Sequence, residues 1–162
     1  MDRPLPPTRV QASIEIAAPP REVWRYLGDF EDPEIWAAAL SYARRTTGDE
    51  VGVGSRREVR YRHLLRMEQV ITQWDEGRRL QYAVFKAPWP LRHFFETWEV
   101  TPSITGARVR SAVAYELWFG AVGRFVNWIF TRHVLLFEMR TGLNGLKRAA
   151  ENDKLVRPPN DT

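Results

Sequence analysis

Residues Val10 to Leu27 read VQASIEIAAPPREVWRYL, and this stretch sets the fold. Val10, Ala12, Ile14 and Ile16 alternate with Gln11, Ser13 and Glu15, the period of two that marks a half-buried strand. Ala18-Pro19-Pro20 ends the strand, because proline cannot donate to a sheet ladder. Proline is well suited to a first helical turn, and Glu22 suits the positive end of a helix dipole. Val23, Trp24 and Leu27 then fall at helical spacing, and Gly28 closes a short helix. A second short helix is expected from Asp32-Pro33-Glu34, carrying Ile35, Trp36 and Leu40.

Beyond this opening, Ser41 to Phe119 is patterned mainly as strands, at about 42–48, 54–63, 66–75, 79–86, 93–101 and 107–118. Gly48-Asp49, Asp75-Glu76-Gly77 and Thr105-Gly106 supply turn chemistry between them. Lys86-Ala87-Pro88-Trp89-Pro90 reads as a loop with an apolar tip. After Gly120 the period changes. Val122, Phe125, Ile129, Leu136, Met139, Leu143 and Leu146 recur at steps of three and four and predict a long helix over about 121–151. Gly142 and Gly145 each weaken such a helix by about 1 kcal/mol relative to Ala, so close approach to the sheet is expected there. The class is α+β: a seven-stranded antiparallel sheet with one buried face, curled around one long C-terminal helix, with two short helices after the first strand. One helix covers only a narrow band of such a sheet, which leaves room for a cavity. Residues 8–151 form the domain, 1–7 and 152–162 are expected to be flexible tails, and no repeat or linker interrupts the chain.

Three segments carry a family likeness. They are Ile14-Glu15-Ile16-Ala17-Ala18-Pro19-Pro20 running on through Val23-Trp24 to Leu27; Thr97-Trp98-Glu99-Val100-Thr101-Pro102 followed by Gly106-Ala107-Arg108-Val109; and Leu143 to Glu151. In that order and spacing, over about residues 8–151, the chain resembles the START/Bet v1-like (SRPBCC) superfamily, specifically its polyketide cyclase/dehydrase-type branch. The resemblance implies a helix-grip fold with a cavity for an apolar ligand. It implies two functions: a polyketide cyclase or aromatase-type protein acting on a polyketide-like or polycyclic molecule, or a non-enzymatic carrier of a lipid, isoprenoid quinone or sterol-like molecule. Fold alone does not choose a reaction.

Composition narrows the chemistry. The 162 residues hold seven Trp, eight Phe and five Tyr, rings that need a core or a cavity to line. The absence of Cys excludes disulfides, Cys-zinc sites and Cys nucleophiles. Three scattered His argue against a metal site, and no phosphate loop, dinucleotide fingerprint, nucleophile elbow or His-Glu-x-x-His motif is present, so no cofactor is expected. Net charge is +4, and Arg56, Arg60, Arg62 and Arg66 are interrupted by Glu58 and Glu68, which reads as a solvated sheet face and not a nucleic-acid surface. Met1 to Thr8 has no apolar core of a signal peptide. The most apolar run, Leu117 to Phe130, is broken by Arg124. These features predict a cytoplasmic protein, monomer or homodimer.

Candidate site residues are polar groups set among apolar ones. His63 shares parity with Val59 and Tyr61. Glu96 shares it with Phe94, Trp98 and Val100, and Tyr115 with Val113 and Leu117. Arg132 and His133 sit between Ile129 and Leu136 on the long helix. A buried carboxyl or imidazole has a perturbed pKa and can move a proton beside a ligand carbonyl. His63, Glu96, Trp98, Val113, Tyr115, Ile129, His133 and Trp89 are therefore the expected ligand contacts. Trp89 and the aromatics Trp118 to Phe130 also offer a surface for transient contact with a membrane.

Overall fold

The computed structural model describes residues 8–30, 33–48, 50–61, 66–85, 91–118 and 130–156. Strand β1 (Thr8–Ile16) leads into helix α1 (Pro20–Leu27) and a 3-10 turn (Pro33–Ile35). Six strands follow: β2 (Leu40–Arg45), β3 (Arg56–Tyr61), β4 (Arg66–Asp75), β5 (Arg79–Val84), β6 (Leu91–Ser103) and β7 (Gly106–Leu117). Helix α2 (Arg132–Val156) comes last. The strands form one sheet in the order β1-β7-β6-β5-β4-β3-β2, and every neighbouring pair is antiparallel. Register shifts at Leu40/Tyr42, Ile71/Gln73 and Leu91/His93 insert bulges, which bend the strands and help the sheet curl. This is the helix-grip fold expected from the sequence.

The second short helix is corrected to a single 3-10 turn. Trp36 and Ala37 both donate to the carbonyl of Pro33, and Leu40 donates to Ala37 as β2 begins. The chain must enter the sheet at Leu40, and the indole of Trp36 is turned inward to donate to the carbonyl of Tyr26 at 3.0 Å, so no length remains for an α-helix. The far end of the long helix runs to Val156, five residues past the expected stop at 151. Pro158 restricts the residue before it, which places the natural limit of the helix near this point. The expected start near 121, together with Phe125 and Ile129, lies outside the described residues.

Helix α2 packs chiefly along β1 and α1. Lys147 anchors it by donating to the carbonyl of Glu15 at 2.7 Å, and Glu151 accepts from the backbone of Ala17 at 2.8 Å. The two helical glycines do permit a close approach, though not to the sheet ladder. A Cβ on Gly145 would fall on the backbone carbonyl of Trp36, and one on Gly142 would touch the rings of Trp36 and Trp98. Gly106, at φ 142°, lets the β6–β7 turn pass under the carbonyls of Ile16 and Ala18, where a side chain would come within 2.7 Å.

The buried apolar residues fall into two clusters. One gathers Val23, Trp24, Phe30, Trp36 and Trp98 against Leu143 and Leu146 of α2. The other gathers Val10, Phe94, Val113 and Tyr115 against Met139, with Leu136 at its margin. The convex face of the sheet is polar. Arg79 pairs with Glu99 at 3.5 Å, Arg92 with Glu116 at 3.3 Å and Arg66 with Glu58 at 3.8 Å. Of the basic set, Arg66 lies on β4 opposite Arg60 of β3, and Arg62 lies outside the described residues.

Candidate functional site

A cavity of about 510 Å³ lies between the concave face of the sheet and α2, where the two apolar clusters meet. That is the size of a site for a small organic molecule. Its floor comes from alternate residues of β3 to β7, each pointing inward by the two-residue period of its strand. The roof is α2 with the turn just before it, which present Thr131, Leu135, Glu138 and Gly142 at helical spacing. Trp36, Leu40, Phe94, Trp98, Val113 and Met139 make most of the wall apolar. Trp36 and Trp98 meet edge to face, centroids 5.3 Å apart at 78°, which fixes both rings.

One part of the wall is polar, and the register of the sheet assembles it. Arg57 on β3 stands directly opposite Gln69 on β4, and Tyr82 on β5 directly opposite Glu96 on β6. Arg57 Nε donates to Gln69 Oε1 at 2.7 Å, and its Nη1 donates to the carbonyl of Phe30 at 3.2 Å. The guanidinium also lies 4.2 Å from the ring centre of Phe30 and 5.5 Å from that of Tyr82. The Tyr82 hydroxyl donates to Glu96 Oε2 at 2.6 Å and receives a longer hydrogen bond, 3.4 Å, from the indole of Trp98. Burial raises the pKa of the Glu96 carboxyl; the Tyr82 hydrogen bond and the Arg57 charge oppose this without cancelling it. Burial, and then the negative charge of Glu96, push the phenols of Tyr61 and Tyr82 well above their ordinary value, so both remain protonated donors. The arrangement can hold a polar atom of an otherwise apolar ligand and exchange a proton with it at Glu96.

Of the residues expected at the site, the structure brings Glu96, Trp98 and Val113 to the cavity wall. Tyr115 is fully buried in the cluster around Val113 and Phe94, packed beside the cavity and absent from its lining. His133 is corrected to an exposed position: the chain turns its cavity face through Thr131, Val134 and Leu135, which carries residue 133 outward. His63, Trp89 and Ile129 lie outside the described residues, as does most of the Lys86 to His93 loop expected at the mouth. Leu91, at the start of β6, does line the cavity. Of the arginines near Glu96 in the sheet, Arg92 pairs with Glu116, and Arg110 with Gln11 and Glu99.

Sequence reasoning missed Arg57, Gln69, Tyr82 and Glu138. The signal was present for the first three. Arg57 is two residues before the inward Val59, Gln69 two before Ile71, and Tyr82 two after Leu80. Among the described residues no group of His, Asp and Glu is placed to hold a metal ion, and no helix is long and apolar enough to cross a membrane.

A curled antiparallel sheet gripping one long helix around a mainly apolar cavity, with a cluster of polar side chains on its sheet side, defines a helix-grip, small-molecule-cavity protein. The chain belongs to the family described as polyketide cyclase / dehydrase and lipid transport, whose model matches residues 7–151. That membership supports hydrophobic ligand binding in general terms. No curated protein matches the chain. Solved structures of the same fold include a protein from Thermus thermophilus, 19% identical with a TM-score of 0.74 over 90% of this chain and 99% of that one. XoxI from Bacillus cereus is 17% identical, with a TM-score of 0.72 over 88% and 94%. The protein Ara h 8.0201 is 13% identical, with a TM-score of 0.70 over 93% and 99%. At these identities the likeness is one of fold.

Proposed function

We propose that the protein binds a polyketide-like, polycyclic or lipid molecule inside this cavity and acts on or orients it as a cyclase or aromatase-type protein. The observation that carries the reading is the cavity of about 510 Å³ whose mainly apolar wall holds a convergent polar group around Glu96 on its sheet side. Apolar contact with Trp98 and Val113 supplies affinity. Glu96, Tyr82 and Tyr61 orient the ligand's polar group, and Glu96 is the residue able to give or take a proton beside a ligand carbonyl. A wholly apolar pocket would instead favour the second reading, a non-enzymatic carrier of a lipid, isoprenoid quinone or sterol-like molecule. The buried carboxyl, with a phenol donating to it, favours the first.

An apolar dye such as Nile red, or a polycyclic phenol, is expected to bind with roughly micromolar affinity, about −8 kcal/mol. Val113→Trp fills the cavity and should abolish binding while the circular dichroism spectrum and the denaturation midpoint stay near those of the parent. Binding that survives the substitution would place the ligand elsewhere and end this reading.

A further inference from the structure

We infer that Gly142 sets the head-room of the cavity: its missing side chain keeps the roof open for a broad, rigid, fused-ring ligand, and a larger residue there would leave room only for a slim, flexible chain. This deepens the cavity-binding reading and rests on it.

Helix α2 carries a glycine at 142 that packing does not require. Glycine is the poorest helix former after proline, so its place in a helix interior calls for a reason. At Gly145 the reason is contact, because a Cβ there would fall on the backbone carbonyl of Trp36. Gly142 has no such obstacle. A Cβ there would stand 3.8 Å from the nearest ring atoms of Trp36 and Trp98, an ordinary van der Waals contact, and the residue lies within the helix. Alanine would fit the fold and strengthen the helix. What it would take away is space, since Gly142 lines the cavity.

The surroundings give that space a shape. The floor of the cavity draws residues from five neighbouring strands, β3 to β7, which at the usual strand spacing makes it about 19 Å across along the sheet. The narrow dimension is therefore the height between sheet and helix. Gly142 stands on the roof in the same row as Leu135 and Glu138. Side chains on a helix lean toward its N-terminus, so a longer one at 142 would lie over the turn of Glu138 and Met139, which is also cavity wall. It would meet Trp98 there, and the edge-to-face contact with Trp36 holds that ring in place. A rigid plate of fused rings cannot bend around such an obstruction, whereas an alkyl chain changes its path by rotating single bonds. Tyr61, Tyr82, Phe94 and Trp98 supply aromatic wall for such a plate to pack on.

The test compares the full chain with Gly142→Ala and Gly142→Leu, two substitutions that favour the helix. The probes are hydroxypyrene, a rigid four-ring phenol followed by its own fluorescence, and decanol, a flexible chain followed by calorimetry; each carries one hydroxyl. The parent should bind both. Gly142→Ala should have a higher denaturation midpoint and yet bind hydroxypyrene about fivefold or more less tightly, and Gly142→Leu should bind it about fiftyfold or more less tightly, the range expected of overpacking. Decanol should stay within about threefold of the parent in both variants. Stability that rises while affinity for the rigid probe falls is a signature that a purely structural glycine would not give. Hydroxypyrene affinity unchanged in both variants, an equal loss for the two probes, or a Gly142→Ala variant less stable than the parent overturns the role of Gly142 while cavity binding stands. So does a parent that takes decanol and not hydroxypyrene. If Gly142→Leu fails to fold, Gly142→Ala decides alone. Hydroxypyrene binding that ignores Val113→Trp refutes cavity binding, and the role of Gly142 falls with it.

Discussion

Helix α2 carries two glycines, Gly142 and Gly145, and replacing each with alanine should move stability in opposite directions. Helix propensity alone predicts that both changes stabilise, each by about 1 kcal/mol, because glycine is the poorer helix former. The surroundings break this symmetry. A Cβ at Gly142 would rest 3.8 Å from atoms of the Trp36 and Trp98 rings, an ordinary van der Waals contact. A Cβ at Gly145 would sit 3.0 Å from the carbonyl carbon of Trp36 and closer still to its oxygen. That obstacle is backbone, pinned by the Trp36 indole hydrogen bond to Tyr26 and by the hydrogen bonds to Pro33, so the helix has to move away. Overpacking of this kind costs about 1–3 kcal/mol, toward the upper end when the neighbour is fixed. Gly142→Ala should therefore gain about 0.5–1 kcal/mol, and Gly145→Ala should lose about 1–2 kcal/mol after its propensity gain is subtracted. Urea denaturation with an unchanged m-value would measure both, and the melting temperatures should differ by roughly 4–10 °C. Two variants shifting in the same direction by similar amounts would refute the close approach of α2 to Trp36.

Three further outcomes are expected. Leu143→Ala, at a position 2% exposed in the larger cluster, should cost about 2–5 kcal/mol in the same denaturation assay; a loss under about 1 kcal/mol would mean that this face of α2 is not buried. Glu96 has a folded pKa above its ordinary value of 4.5, so its protonated form is favoured by folding, and its contribution falls as the pH rises from the unfolded value through the folded one. Glu96→Gln should match the parent most closely in acid and gain on it steadily across that window, then run parallel above it; a gap that closes as the pH rises would contradict the burial of this carboxyl. Arg57→Leu should lose about 1–3 kcal/mol, because the Gln69 amide and the Phe30 carbonyl are left without their donor, and an unchanged midpoint would show that the guanidinium is not held as described.

The strands were legible because a half-buried strand writes its orientation into alternate residues. Val10 to Ile16 announced β1, and the parity of Phe94, Trp98 and Val100 placed Glu96 inside from sequence alone. What escaped was the part of the site made by pairing across strands. Arg57 obeys the same parity as Val59, yet an arginine with no visible partner reads as surface. Its partner Gln69 is twelve residues away, joined only by the register of β3 on β4. Tyr82 and Glu96 are fourteen apart and meet for the same reason. The helix misled in another way. His133 lies between apolar residues on both sides, and only the phase of α2 against β1 decides that 134 and 135, not 133, look into the cavity. The 3-10 turn was hidden because Pro33 and Ile35 suit either kind of helix, and the choice rests on how soon the chain must join β2.

The direct pairs Arg57–Gln69 and Tyr82–Glu96 also act on the folding of the sheet itself. Slipping β3 against β4, or β5 against β6, by one residue would turn one strand of the pair inside out. Purely apolar strands tolerate some such errors, because one valine replaces another. Here a slip would drive Arg56 or Glu58 into the core and strand Gln69, or leave Glu96 among apolar side chains without the Tyr82 hydroxyl. Each misaligned sheet would hold a buried charge with no partner, at a cost of several kcal/mol. The polar pole that would greet a ligand thus doubles as an alignment key, rejecting wrong pairings before the cavity exists.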